Sequence, residues 1–170
     1  MTARLVEGLS EQERQQLFGW GTNIFGTEGF NLQWRKKKSW HILVYDVASQ
    51  LVSHVGVAGE TVSVGQRIIH VGGIGGVVTI PLAQNKGYAR TALEHAKNFM
   101  CDRLGVEFGM LFCLDRLVPF YQRLGWQRVQ DSVYIEQPAG KILSPLNVMI
   151  LPCQSQIWPT GTVDVQSLPW

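Results

Sequence analysis

The stretch Gln84-Asn85-Lys86-Gly87-Tyr88-Ala89 decides how this chain is read. It follows an apolar run, Val77-Val78-Thr79-Ile80, and precedes a segment in which Ala89, Ala92, Leu93, Ala96, Met100 and Leu104 recur at helical spacing up to Gly105. A loop between a strand and a helix N-terminus aims several backbone N–H groups at one point. The helix dipole adds to them, so the site suits a phosphate or pyrophosphate. Gly87 lets the main chain approach such an anion, Ala89 keeps the next position small, and Lys86 and Arg90 add positive charge. Other phosphate motifs fail. No stretch supplies G-x-x-x-x-G-K-[ST], and in Gly73-Ile74-Gly75-Gly76-Val77-Val78 a valine stands where the last glycine of G-x-G-x-x-G belongs.

A second segment narrows the reading. Phe108 to Leu114 is an apolar run of strand length, followed by Asp115-Arg116-Leu117-Val118-Pro119-Phe120-Tyr121-Gln122-Arg123-Leu124-Gly125-Trp126. Pro119 suits a first helical turn, Leu117, Phe120 and Leu124 form an i, i+3, i+7 stripe, and Gly125 is a C′ stop. The spacing Q-x-x-G-x-A and the run P-F-Y-Q-R-L-G-W, in this order, resemble the two signatures of the GNAT acetyltransferase superfamily over residues 40–135. The resemblance implies that Gln84, Asn85, Lys86, Gly87, Tyr88, Ala89 and Arg90 bind the pyrophosphate of acetyl-CoA. It further implies that the strand at Val77, Val78 and Thr79 holds the pantetheine arm in a gap beside the next strand.

Composition sets outer limits. The 170 residues suffice for one full core, so a single acetyltransferase domain over 1–170 is expected. A net charge of +2 argues against nucleic acid, and the basic run Arg35-Lys36-Lys37-Lys38 reads as a solvated loop. No apolar stretch approaches the ~20 residues of a membrane span, and Met1 to Leu5 lacks a signal core, which points to a cytoplasmic protein. Cys101, Cys113 and Cys153, odd in number and far apart, suggest buried free thiols with neither disulfide framework nor zinc cluster, and no metal is expected.

The element order completes the fold. Ser10-Glu11-Gln12-Glu13 reads as a capping box for a helix over 11–24 with Leu17, Trp20 and Ile24 on one face. Strands follow at 40–46, 51–62 and 67–80, joined by short turns, as an antiparallel meander. The third carries Gly72, Gly73, Gly75 and Gly76, which fits a bulge or a close approach, or else a loop splitting two short strands. Then come a helix, the 108–114 strand, a helix over 119–124, a strand over 126–136, a loop over 138–145 and a strand over 148–151. The class is α+β, with a GNAT-like mixed, mostly antiparallel central sheet flanked by helices.

Acyl transfer to an amine needs a held donor, a neutral amine and help for the departing thiolate. Tyr121 matches the family's motif tyrosine, to which the resemblance gives the general-acid role; a core tyrosine bonded to a carbonyl is the alternative. The base stays open among His54, His70, Glu60 and Asp115, with Asp115 also a candidate amine ligand or helix cap. Cys113, inside an apolar strand, reads as packing. Among family members the chain looks most like aminoglycoside 2'-N-acetyltransferases, through Ser53-His54-Val55-Gly56 and a terminal Trp170. That likeness implies that the Trp170 carboxylate, with Asp164, faces a substrate amine; an indole filling an apolar gap is the other reading. Gly75 stands where those enzymes place a glutamate. The expected partner is a small-molecule amine, with a homodimer left open. Transfer of a longer acyl chain and a non-catalytic CoA-binding sensor are the competing functions.

Overall fold

The computed structural model describes residues 1–35 and 37–170; Lys36 of the basic run lies outside the described residues. In chain order the strands are β1 (Thr2–Val6), β2 (Trp40–Tyr45), β3 (Leu51–Val64), β4 (Arg67–Thr79), β5 (Phe108–Cys113), β6 (Gln127–Arg128), β7 (Val133–Gln137), β8 (Gly140–Leu143), β9 (Asn147–Pro152) and β10 (Val163–Asp164). The helices are α1 (Glu11–Phe18), α2 (Tyr88–Asn98) and α3 (Val118–Arg123).

The spine is the long β3–β4 hairpin, turned at Gly65, whose positive φ of 58° suits glycine. The first half of β3 pairs with β2, which pairs with β1; its last residues pair with β10, which leads on to β7 and β8. On the other side β4 runs parallel to β5, then β9 and β6 follow antiparallel. The sheet is mixed and mostly antiparallel, as the sequence suggests.

Helices cover both faces for reasons visible in their composition. α2 buries Ala92, Leu93 and Ala96 against Ile42, Val55 and Val57, and the small alanines let the helix lie close to the sheet. α1 begins with the expected capping box, Glu13 N–H donating to Ser10 Oγ at 3.1 Å and Ser10 N–H to Glu13 Oε2 at 2.8 Å. It buries Leu17 with Leu43, Leu51 and Val78 on the opposite face of the sheet. It ends at Gly19 rather than continuing to residue 24, in keeping with the low helix propensity of two nearby glycines.

Several expectations need correction. Residues 138–145 are not all loop, because β8 pairs with β7 there; its residues are all exposed, so no apolar alternation signals it. The strand expected over 126–136 is two strands in different parts of the sheet. β1 and β10 were not foreseen. Two of the three cysteines are not free thiols: Cys101, in the π-helical turn after α2, is bonded to Cys153 just past β9. Their 52-position separation concealed a spatial pair with Cα atoms 5.2 Å apart. Only Cys113 is a free, buried thiol.

Opening this bond by reductant, or by Cys101→Ser with Cys153→Ser, should lower stability by about 2–4 kcal/mol, from the entropy released to the unfolded chain. Urea unfolding with and without reductant measures it, and coincident curves would contradict the pairing.

Candidate active site

β4 and β5 stay in register from Val71 opposite Phe108 to Ile74 opposite Leu111, and pairing ends there. At the same level β4 bulges against β3: His54 pairs with Val78 and Gly56 with Gly75, so Gly76 and Val77 together face Val55. Gly76 has φ +60°, the left-handed geometry of a glycine bulge. The glycine-rich run is therefore a continuous strand with a bulge, and the reading of a separating loop is excluded. Between the parted strands opens a cavity of about 360 Å³, lined by residues from both faces of the sheet.

From one side come Val77, Leu111, Cys113, Leu117 and Tyr121. Tyr121 is 5% exposed, with its ring edge-on to Phe120 at 5.0 Å. Burial first, then the Cys113 thiol, push its pKa above the ordinary 10, so the phenol stays protonated. Burial, then Asp115, likewise push Cys113 up to about 11, with Arg128 opposing. A thiol held protonated among apolar neighbours is packing, not a nucleophile.

From the other side come Arg14, Phe18, Trp34, Arg35, Lys38, His41, His54 and Trp170. Here the basic run departs from expectation. Lys38 is only 8% exposed, with Nζ donating to the Arg35 carbonyl at 3.3 Å, and Arg35 meets Glu60 at 2.6 Å. Burial and then Arg35 hold Lys38 down to about 8, against the pull of Glu60. The chain turns these cations inward because glycines clear the space. A Cβ at Gly56 would lie 2.7 Å from Lys38 Cγ. One at Gly75 would lie 2.8 Å from Lys38 Cε and 3.0 Å from the Trp170 main-chain carbonyl carbon. Trp170 is 3% exposed, its Nε1 donates to the Met110 carbonyl at 3.1 Å, and Arg35 stacks 5.7 Å above its ring.

Two histidines on neighbouring strands lie under α1. His41 Nδ1 is 2.9 Å from His54 Nε2, and His54 Nδ1 is 2.7 Å from the Gly76 carbonyl oxygen. Gly56 stands opposite His41 in the ladder, which leaves the imidazole room to lean diagonally onto His54. Phe18 closes over His54 edge-on at 5.3 Å. His41 was not singled out in the sequence; its place opposite a glycine, one strand from His54, is its only signal there.

Of the residues expected to hold the acyl carrier, Val77 lines the cavity. Val78 points to the α1 face, and Thr79 bonds Ser53 Oγ at 2.9 Å. The loop at 84–87 caps α2, with Gly87 at φ +84° as N-cap and, among the described residues, no side chain bonding the first-turn N–H groups. Those donors remain available to an anion. Gln84 braces the loop by donating to the Thr79 carbonyl at 3.0 Å, and Lys86 donates to the Leu82 carbonyl at 2.8 Å. Asn85 takes φ +62°, Tyr88 and Ala89 open the helix half-buried, and Arg90 pairs with Glu94 at 3.0 Å. Asp115 is exposed, accepts from the Asn147 amide and does not line the cavity. Asp164 accepts from Lys141, and His70 is exposed on β4; neither lines the cavity.

A family model described as an acetyltransferase (GNAT) domain matches residues 10–129. Solved structures share the fold. The GNAT family N-acetyltransferase YhbS of Escherichia coli, in complex with CoA, superposes with TM-score 0.59 at 12% identity, over 96% of this chain and 89% of that one. A GNAT family acetyltransferase of Brucella melitensis, in complex with acetyl-CoA, gives 0.56 at 12% identity, over 95% and 94%. A GCN5-related N-acetyltransferase of Kribbella flavida gives 0.51 at 17% identity over 75% of this chain, which spans 34% of that protein's length. At these identities the likeness speaks for the fold. A search of curated protein sequences finds no match.

Gly73 faces the indole, where a Cβ would stand 2.7 Å from the ring. Gly73→Leu should therefore cost about 1–3 kcal/mol by overpacking. In a Trp170→Phe background the cost should shrink, and a double-mutant cycle by chemical denaturation reads the difference.

Proposed function

Given that the chain belongs to the GNAT acetyltransferase family, we propose that residues 1–170 act as one domain that transfers an acetyl group from acetyl-CoA to a primary amine of a small molecule. The observation that carries this is the parting of β4 from β5 beside Tyr121. It opens a cleft at strand edges whose peptide groups can hold the pantetheine arm as an added strand would. The uncapped start of α2, with Gly87 at its tip, receives the pyrophosphate.

In this cleft the thioester lies between Tyr121 and the histidine-lined side. A phenol that stays protonated keeps its O–H to donate a hydrogen bond to the thiolate as charge develops on sulfur. Tyr121 thus steadies the leaving group. The acceptor enters from the side of Arg14, Arg35 and Lys38. No described Asp or Glu lines the cavity, and Lys38 and the Trp170 main chain both stand beside Gly75. This lining favours an amine whose remaining groups are neutral or anionic over a polycationic amino sugar, and it helps keep the amine in its nucleophilic, uncharged form. The aminoglycoside likeness thus gives way to a smaller, less cationic acceptor. The cavity volume suits an acetyl group with a small acceptor better than a long acyl chain.

Thiol release from acetyl-CoA across a panel of amines tests the reading. Tyr121→Phe should lower kcat by about 10²-fold while calorimetric affinity for acetyl-CoA holds; equal loss of both would remove its role at the sulfur. Gly87→Val, forced into a left-handed backbone, should weaken acetyl-CoA binding about tenfold or more. No uptake of acetyl-CoA by folded wild type would sink the function.

A further inference from the structure

We propose that His41 is the general base of the reaction and that His54 is its positioning residue, the two forming a relay whose tautomers are fixed by the Gly76 carbonyl. The inference rests on the acetyltransferase reading and names a role that reading leaves unassigned.

Two contacts fix where the protons sit. A carbonyl oxygen only accepts, so the 2.7 Å contact with Gly76 places a proton on His54 Nδ1. In a neutral ring that leaves His54 Nε2 bare, and it must accept. The 2.9 Å contact to His41 Nδ1 then requires the proton of the second ring to sit on that nitrogen. The lone pair of His41 is thereby confined to Nε2, on a ring that lines the same cavity as Tyr121. Gly76 is the bulge glycine at φ +60°, so the backbone distortion that parts β4 from β5 also sets the carbonyl that orients the relay.

The surroundings keep both rings uncharged. Desolvation, then Arg14 and Lys38, lower the His41 pKa below its ordinary 6.5; the Lys38 carbonyl and Glu13 pull the other way. His54, almost fully buried, is held down to about 3, chiefly by desolvation, with the Gly76 carbonyl opposing and His41, Lys38 and Arg14 adding to the effect. From α1 the charged groups are Glu13 and Arg14; from the segment before β2 they are Arg35, already paired with Glu60, and Lys38.

The step balances. The neutral amine forms a C–N bond at the thioester carbon, and the carbonyl pair moves onto oxygen. The new ammonium gives one proton to His41 Nε2. Collapse re-forms the carbonyl and breaks the C–S bond; the thiolate leaves with the electron pair, steadied by Tyr121. Water takes the proton from His41 and supplies one to the thiolate, leaving amide and free thiol.

Two measurements test this. In the wild type, nitrogen-15 ring shifts should show the Nδ1–H tautomer for both histidines at pH 7. A proton on His41 Nε2 overturns the proposal without touching the function. In His54→Phe the His41 tautomers should become mixed while acetyl-CoA affinity holds; an unchanged single tautomer removes the positioning role. Kinetically, His41→Asn keeps a donor toward His54 and lacks the ring nitrogen. It should bind acetyl-CoA normally and lose about 10²-fold or more in kcat at pH 8. The wild-type to variant rate ratio cancels the amine's own ionisation. It should fall toward one as pH drops through the His41 titration, which lies below 6.5. A ratio that stays flat, or near-normal turnover in the variant, overturns the base assignment. A wild type that binds acetyl-CoA and acetylates nothing in the panel overturns the enzymatic reading and the base role with it.

Discussion

Past Ile74 and Leu111 the backbone groups of β4 lose their partners on β5, and peptide groups inside a protein must be matched by something. The molecule meets that demand in two ways. Gly76 turns its carbonyl into the sheet face, where His54 takes it, and the remaining edge faces a cavity sized for a guest. The bulge, the histidine pair and the cleft are three results of one local failure of strand pairing.

The glycines of β4 divide the labour of keeping that place open. Gly72 accommodates Met100 beneath the end of α2, Gly73 the Trp170 indole, and Gly75 the stem of Lys38. Gly76 alone is there for its backbone conformation. Side chains from distant parts of the sequence thus converge because one strand has no side chains of its own to oppose them. The cost in strand propensity is met by the long hairpin with β3, which pairs along nearly the full length of β4.

How much of this was legible in the sequence follows from how local each signal is. The glycine loop before α2, the Tyr121 helix, the α1 capping box and the meander are written in contiguous residues, and their positions were readable within a residue or two. The family likeness they carried agrees with the matched family domain. What escaped was non-local. Nothing in Cys101 points to Cys153, and nothing in Lys38 says that Gly56 and Gly75 will make a channel for it. A basic run looks solvated until the glycines opposite are known. His41 was invisible for the same reason: its meaning lies in a cross-strand diagonal, and His54 alone gave half of it.

The oxygen that His54 holds belongs to the same amide whose nitrogen is that of Val77. Amide resonance links the two ends: a ligand accepting from the Val77 N–H draws charge toward the oxygen and tightens its grip on the imidazole. Arrival of the acyl carrier would then register in the ring chemistry of His54 before any acceptor binds. If that N–H holds the acyl carrier as proposed, the His54 ring is a spectroscopic gauge of whether the donor is loaded.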